Sequence, residues 1–261
     1  ASVIDVAMLG SLMQDDRYSV GLYAVASRVM RIGLSLVVAG ISVIMPRVSA
    51  SHASGDERKT ESLIKKSFSY SLFFSLPMAI GLIITARDVI FLFAGTDFLP
   101  AVTTLRILSS QLVIFALGNV VNMQVFYARG REKSVLVLSI VTTVLSVLLN
   151  LALIPLYRHD GAAIATLAIT VLGLSAQSSL AWPLIRRLLF TGDNGRIAVL
   201  VAIWSLLLFA VDSWLAGWGT VPRLTAVVGS GIILYGTGAL ALQLEPGWAL
   251  FNWITHRRRQ K

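Results

Sequence analysis

Between residues 22 and 242 the chain is a succession of long apolar runs, at 22–45, 67–86, 102–127, 135–156, 162–185, 198–215 and 224–242, each bounded by charged or turn-forming residues. About 17 to 25 apolar residues is the length an α-helix needs to cross the roughly 30 Å hydrocarbon core of a bilayer. The runs are continuously apolar and do not alternate with a period of two, so they read as helices and not as barrel strands. Composition agrees: 56% of the residues are hydrophobic, 13% are charged and mean hydropathy is +0.78, where an ordinary soluble domain is about 25% charged. The expected fold is all-α, a polytopic transmembrane helical bundle. Residues 1–13 are apolar but too few for a span of about 20. They carry neither a basic leader region nor a small-residue cleavage site, so they read as the later part of a truncated helix and not as a signal peptide.

The net charge of +9 raises the question of nucleic acid, and the placement of the charges answers it. Fifteen of the 22 Lys and Arg fall in one alternating set of connections, at 47–66, 129–133, 186–196 and 257–261. Five fall in the other set, at Arg17, Arg87, Arg106, Arg158 and Arg223. Positive charge accumulates in cytoplasmic loops of membrane proteins, so the first set and the C-terminus are assigned to the cytoplasm, and no basic patch for nucleic acid is implied. The tail "EPGWALFNWITHRRRQK" reads either as an amphipathic segment on anionic headgroups or as a plain positive stop after the last span. There is no cysteine, which removes disulfides, thiolate metal sites and a cysteine nucleophile. His52, His159 and His256 fall in expected loops or the tail, which argues against a histidine metal cluster.

Polar side chains inside spans cost free energy unless they meet water or a partner. Gln111, Asn119 and Asn122 lie within about 80° of each other on one helix. Thr142, Ser146 and Asn150 follow at i, i+4 and i+8, and Thr166, Thr170 and Gln177 share a face of the next. One reading is interhelical hydrogen bonding, at about 0.6 kcal/mol per contact. The other, stronger for the bulkier amides Gln111, Asn119, Asn122, Asn150 and Gln177, is a water-filled or substrate-lined cavity. Pro77 lies mid-span and is expected to kink its helix.

Arg28 and Arg31 are the sharper signal. Three positions apart, they share one helix face, about 9 and 13 Å inside the outer end of their run. Snorkelling reaches the interface from Arg28 and strains Arg31. A central charge costs about 3 kcal/mol or more, so the gain is either an internal aqueous cavity that attracts an anion, or snorkelling and pairing with a carboxylate. Asp5, the one acid of the first helix before the turn at 14–16, reads as a partner for these arginines or as part of a cation site.

Four segments, "GLYAVASRVMRIGLSLVVAGISVIMPRVS", "SLPMAIGLIITARDVIFLFAGTDFLPAVTTLRIL", "VFYARGREKSVLVL" and "LLNLALIPLYRHDGAAIATLAIT", resemble in order and spacing the C-terminal half of Wzx-like bacterial oligosaccharide flippases. These belong to the multidrug/oligosaccharidyl-lipid/polysaccharide superfamily, as does the lipid II flippase, and the resemblance covers residues 1–185. It implies two six-helix lobes around a cavity that opens alternately to each side, moving undecaprenyl-pyrophosphate-linked oligosaccharide between leaflets for polysaccharide, O-antigen or lipopolysaccharide synthesis. On this reading residues 1–187 are the second six-helix lobe, 188–244 two additional spans and 245–261 a basic cytoplasmic tail. The partners are the lipid-linked oligosaccharide, the bilayer and an upstream lobe, and the location is the bacterial inner membrane.

The lipid II flippase carries a cationic cavity residue in a similar "YA..R" pattern, which Arg28 matches, with Arg31 one turn on. Guanidinium offers a diphosphate planar bidentate donors. Some relatives hold Na+ between the first, fifth and sixth helices of this lobe. The nearest matches are Asp5, Asn150 and Thr166, with Ser146 standing where a second acid would strengthen such a site. No cofactor is expected beyond a coupling cation, Na+ or H+. Within the superfamily the alternative is a lipid II flippase or another exporter, and two further readings compete with oligosaccharide transport. A membrane polymerase or ligase needs a sizeable external loop or paired reactive groups, whereas the longest external loop, 87–101, is short and has no histidine. A cationic-drug exporter needs an acid-rich cavity.

Overall fold

A computed structural model of the chain describes residues 3–13, 16–42, 44–127, 130–182, 185–186 and 192–248. The described residues are helical, with no strand among them. In order they form α1 (Val3–Leu12), α2 (Arg17–Ser42), α3 (Met45–Ala53), α4 (Glu57–Ala94), a 3-10 turn (Thr96–Phe98) and α5 (Ala101–Val120), which runs on through a π-helical turn (Val121–Phe126). Then come α6 (Glu132–Leu180), α7 (Gly192–Trp214) and α8 (Thr220–Ala241). Six of these segments are long and apolar enough to cross a membrane.

The 49 residues of α6 would extend about 73 Å if straight, more than twice the thickness of a hydrocarbon core. The segment instead turns back at Arg158, whose φ of 51° lies in the left-handed region. Pro155 has no N–H to continue the ladder, and Gly161 closes the turn, because a Cβ there would come within 2.2 Å of the Leu153 carbonyl oxygen. Arms 132–157 and 159–180 therefore run antiparallel, and Gly173 of one packs on the Thr142 methyl of the other. With the reversal, α6 supplies the two separate spans expected from its two apolar runs. The helices extend past the expected runs in several places: α2 starts at Arg17, α4 continues to Ala94 into the expected external loop 87–101, and the connection expected at 46–66 is itself largely helical. It holds α3, with a proline in its first turn, and the first ten residues of α4, started by Asp56, whose carboxylate accepts from the Lys59 backbone N–H at 3.0 Å. Hydropathy marks only the lipid-facing part of a helix, and the Lys- and Glu-rich start of α4 extends past it.

The core lies where α2, α4 and α5 meet, with Tyr23, Met30, Ile90, Leu105, Leu108 and Leu112 buried. A separate apolar cluster, built on Phe73, Trp204, Leu208 and Tyr235, joins the α7–α8 hairpin to α4. Polar ties accompany it along the length of α4: Lys66 to Glu245 at 2.6 Å, Ser69 Oγ to Asn194 Oδ1 at 2.8 Å, and Arg223, bidentate on Asp212 at 2.8 to 3.0 Å, reaching Asp88 at 3.5 Å. The fourth tie involves the proline. Pro77 has no N–H, so the Phe73 carbonyl four residues earlier loses its helical donor. The Tyr235 hydroxyl of α8 donates to that carbonyl at 2.8 Å.

Tyr235→Phe is expected to leave this carbonyl unpaired in a buried, apolar seam, at a cost of about 1–3 kcal/mol. In a Pro77→Ala background residue 77 regains its N–H and the penalty should shrink toward zero. A double-mutant cycle on thermal unfolding measures this, and equal costs in both backgrounds would show that the tyrosine acts only by packing.

Candidate functional site

The buried face of α2 carries Ser19, Tyr23 and Ser27 at i, i+4 and i+8, all 2% exposed or less. Tyr23 meets Asp5 of α1, which is 1% exposed. Asp5 Oδ2 accepts from the Tyr23 hydroxyl at 3.2 Å and the Thr166 hydroxyl at 3.1 Å, and Asp5 Oδ1 accepts from Asn150 Nδ2 at 3.0 Å. Asn150 and Thr166 come from opposite arms of α6, so the reversal at Arg158 brings both to one carboxylate. A carboxylate buried this deeply is tolerable only when so provided with donors. The structure thus places Asp5, Asn150 and Thr166 together, and adds Tyr23, whose hydroxyl a hydropathy reading discounts. Asn150 Oδ1 is buried with no hydrogen-bond partner among the described residues. Carboxylate, amide and hydroxyl oxygens are the donor set of a hard cation. Asp5 is the one carboxylate in this set, and its partners Tyr23, Thr166 and Asn150 are neutral. The residues present fit a monovalent cation.

A second polar feature lies further along the same helices. Asn119 and Asn122, Ser139 and Thr142, and Thr170 and Gln177 line a cleft of about 260 Å³ between α5 and the two arms of α6. The π turn that begins at Val121 widens the helix where Asn122 faces the cleft; such turns are frequent at functional sites. Asn122 Oδ1 and Gln177 Oε1 have no hydrogen-bond partner among the described residues. Gln111 stands apart from Asn119 and Asn122: buried, it packs its amide nitrogen 3.9 Å from Met30 Sδ, and its Oε1 lies 3.5 Å from Thr170 Oγ1. Gln124, 2% exposed, also has an unpaired Oε1 among the described residues. It was not singled out from sequence because it breaks the helical spacing of its neighbours, and the π turn accounts for that.

Arg28 and Arg31 are both exposed; Arg28 points about 140° round α2 from the buried Tyr23, whereas Arg31 continues the spacing of Ser19, Tyr23 and Ser27 and lies only about 80° from Tyr23. Because α2 begins at Arg17, they lie about 16 and 21 Å from its start, deeper than the apolar run alone indicates. Neither makes a hydrogen bond or ion pair with the described residues. Arg31 flanks the Tyr23 face of α2 and Arg28 lies farther round, and neither arginine lines the polar cleft. At the α1–α2 junction Asp16 caps α2. The Ser19 hydroxyl and backbone N–H donate to it at 2.7 and 3.0 Å and hold its carboxyl below the ordinary range, with Arg158 contributing from 3.4 Å.

Comparison with known proteins gives a consistent result. Over 167 residues the chain is 28% identical to the probable low-salt glycan biosynthesis flippase Agl15 of Haloferax volcanii, covering 63% of this chain and 34% of that protein. In fold it is similar to a solved structure of the lipid II flippase MurJ in an inward closed conformation, with a TM-score of 0.70, 18% identity, and coverage of 85% of this chain and 46% of that one. The chain thus spans about a third to just under half of the length of these relatives. The family described as lipid II flippase MurJ matches residues 8–234, and the chain, a multi-pass membrane protein, belongs to that family.

Proposed function

We propose that the chain is the C-terminal half of a Wzx-like flippase, a transporter and not an enzyme, that carries undecaprenyl-pyrophosphate-linked oligosaccharide across the bacterial inner membrane for surface polysaccharide assembly. The observation that carries this reading is the exposed arginine face of α2: two guanidinium groups at mid-membrane depth, with no protein partner among the described residues, suit an anionic cargo passing along that face. In this reading residues 1–187 form a lobe that works against an upstream lobe across a central cavity, 188–244 add two spans, and the tail 245–261, of which 249–261 lie outside the described residues, is cytoplasmic. The coverage of relatives supports a partner lobe, since the chain spans 46% of the flippase structure it resembles. Asp5, Asn150 and Thr166, with Tyr23, would hold the coupling cation, Na+ in preference to H+ because three donors already point at the two Asp5 oxygens, an arrangement that suits an ionised carboxylate. A bound Na+ would supply the charge that couples cargo movement to the ion gradient.

The family match favours lipid II as the second cargo, and the glycan flippase relative favours the oligosaccharide. The full-length protein in proteoliposomes is expected to flip a fluorescent undecaprenyl-pyrophosphate oligosaccharide faster than lipid II. Faster lipid II movement would reverse the assignment, and movement of neither would end it.

A further inference from the structure

The Asp5 cluster and the polar cleft are not independent sites. Thr170 stands between them: it lines the cleft and lies one turn, about 6 Å, beyond Thr166 of the Asp5 cluster on the same arm, with its hydroxyl bonded to the Thr166 carbonyl at 2.7 Å and 3.5 Å from Gln111 Oε1. From Thr170 the cleft continues about 10 Å along the arm to Gln177, and Asn122 faces it from α5. This is the end of the bundle where α5 leaves for the basic connection at 127–132 and where arm 159–180 stops. The side-chain oxygens follow one another from the buried carboxylate to within about two turns of that face.

Among the buried unpaired atoms, which also include Gln124 Oε1 and the Ser71 and Ser75 hydroxyls, three lie in or beside these two sites. Asn150 Oδ1, Asn122 Oδ1 and Gln177 Oε1 are all acceptors buried without a hydrogen-bond partner among the described residues. An acceptor left open inside a membrane protein costs free energy until a donor, a water or a cation meets it. Ordinary interhelical bonding does not explain why Asn122 and Gln177, facing one cleft from different helices, both leave the oxygen open. A partly dehydrated monovalent cation, which needs several neutral oxygens in succession and no second carboxylate, does.

We infer that the cleft formed by Asn122, Thr142, Thr170 and Gln177 is a second cation station, through which Na+ passes between the Asp5 cluster and the membrane face bearing the 127–132 connection. This route lies within the lobe and apart from the arginine face. It rests on the reading of Asp5 as the cation site and adds to it a path and a direction.

The test uses ²²Na+ on the full-length protein in proteoliposomes, with equilibrium binding and exchange rate measured separately. Asn122→Leu/Gln177→Leu replaces the open oxygens by apolar groups of similar size. It is expected to slow exchange about tenfold or more, the consequence of losing contacts of hydrogen-bond strength to a charged species at the barrier, while ²²Na+ bound at equilibrium stays within about twofold, as expected when both directions share the barrier. Thr170→Val, at the junction of the two sites, should show the same split. Asn122→Asp, which keeps an oxygen, should retain fast exchange. Wild-type exchange rates in both Asn122→Leu/Gln177→Leu and Thr170→Val would overturn the route and leave the Asp5 site standing. Wild-type equilibrium binding in Asp5→Asn would overturn the Asp5 site and the route with it.

Discussion

Asp5→Ala is expected to destabilise the protein by about 2–4 kcal/mol. Interhelical hydrogen bonds in membranes average only about 0.6 kcal/mol each, and removing the carboxylate also removes the cost of burying its charge. Against that, the hydroxyls of Tyr23 and Thr166 and the amide of Asn150 lose one shared acceptor together, and stranded buried donors cost about 1–3 kcal/mol apiece. Asp5→Asn keeps the shape and should cost less, but its new N–H₂ faces donors and brings no charge. The separating measurement is thermal unfolding with and without Na+. A ligand bound only by the folded state raises its stability by mass action, so the wild type should gain melting temperature with Na+ and both variants should not. Equal Na+ responses would remove Asp5 from any cation site.

Arg28→Ala/Arg31→Ala should behave in the opposite way. No hydrogen-bond or ion-pair partner among the described residues is stranded, and losing a mid-membrane charge relieves about 3 kcal/mol or more of burial if the cavity is dry, so folding should be unchanged or improved. Transport of the pyrophosphate-linked cargo should fall by about tenfold to a hundredfold per arginine, the worth of a hydrogen bond to a charged group. Lysine at both positions retains charge but not the planar pair of donors, and an intermediate rate is expected. The assay is flipping in proteoliposomes by equally inserted full-length protein. Undiminished flipping in the alanine form would make these arginines surface features and move attention to the amides of the cleft. Stable and inactive in one case, unstable and unresponsive to Na+ in the other: the two phenotypes differ because neither arginine takes part in the hydrogen bonds that hold Asp5.

Much of this was legible in residue order alone, for reasons that differ from place to place. The number of spans follows from hydropathy because a bilayer imposes one length on every crossing. This held even for α6, where the chain stays helical up to and after Arg158 and only Pro155 and Gly161 betray the reversal. Asp5, Asn150 and Thr166 could be named because a lone acid and an amide in apolar helices are conspicuous. Tyr23 could not, since its ring reads as apolar and its hydroxyl matters only once α1 lies against it. The cleft was half legible. Helical phase grouped Gln111 with Asn119 and Asn122, but the π turn shifts the phase after Val120, and packing turned Gln111 toward Met30. The start of α4 was missed because its first turns lie beyond the apolar run and hydropathy has nothing to report there.

The bond from Tyr235 to the Phe73 carbonyl joins residues 162 apart in sequence, which gives it a consequence in time. As the protein is synthesised, α4 enters the bilayer with one carbonyl open at its proline, and the group that closes it is not made until the final described helix emerges. Until then the Phe73 carbonyl lacks a donor from its own helix. Arrival of α8 supplies one, so the backbone pairing of this early helix is completed by the last helix described.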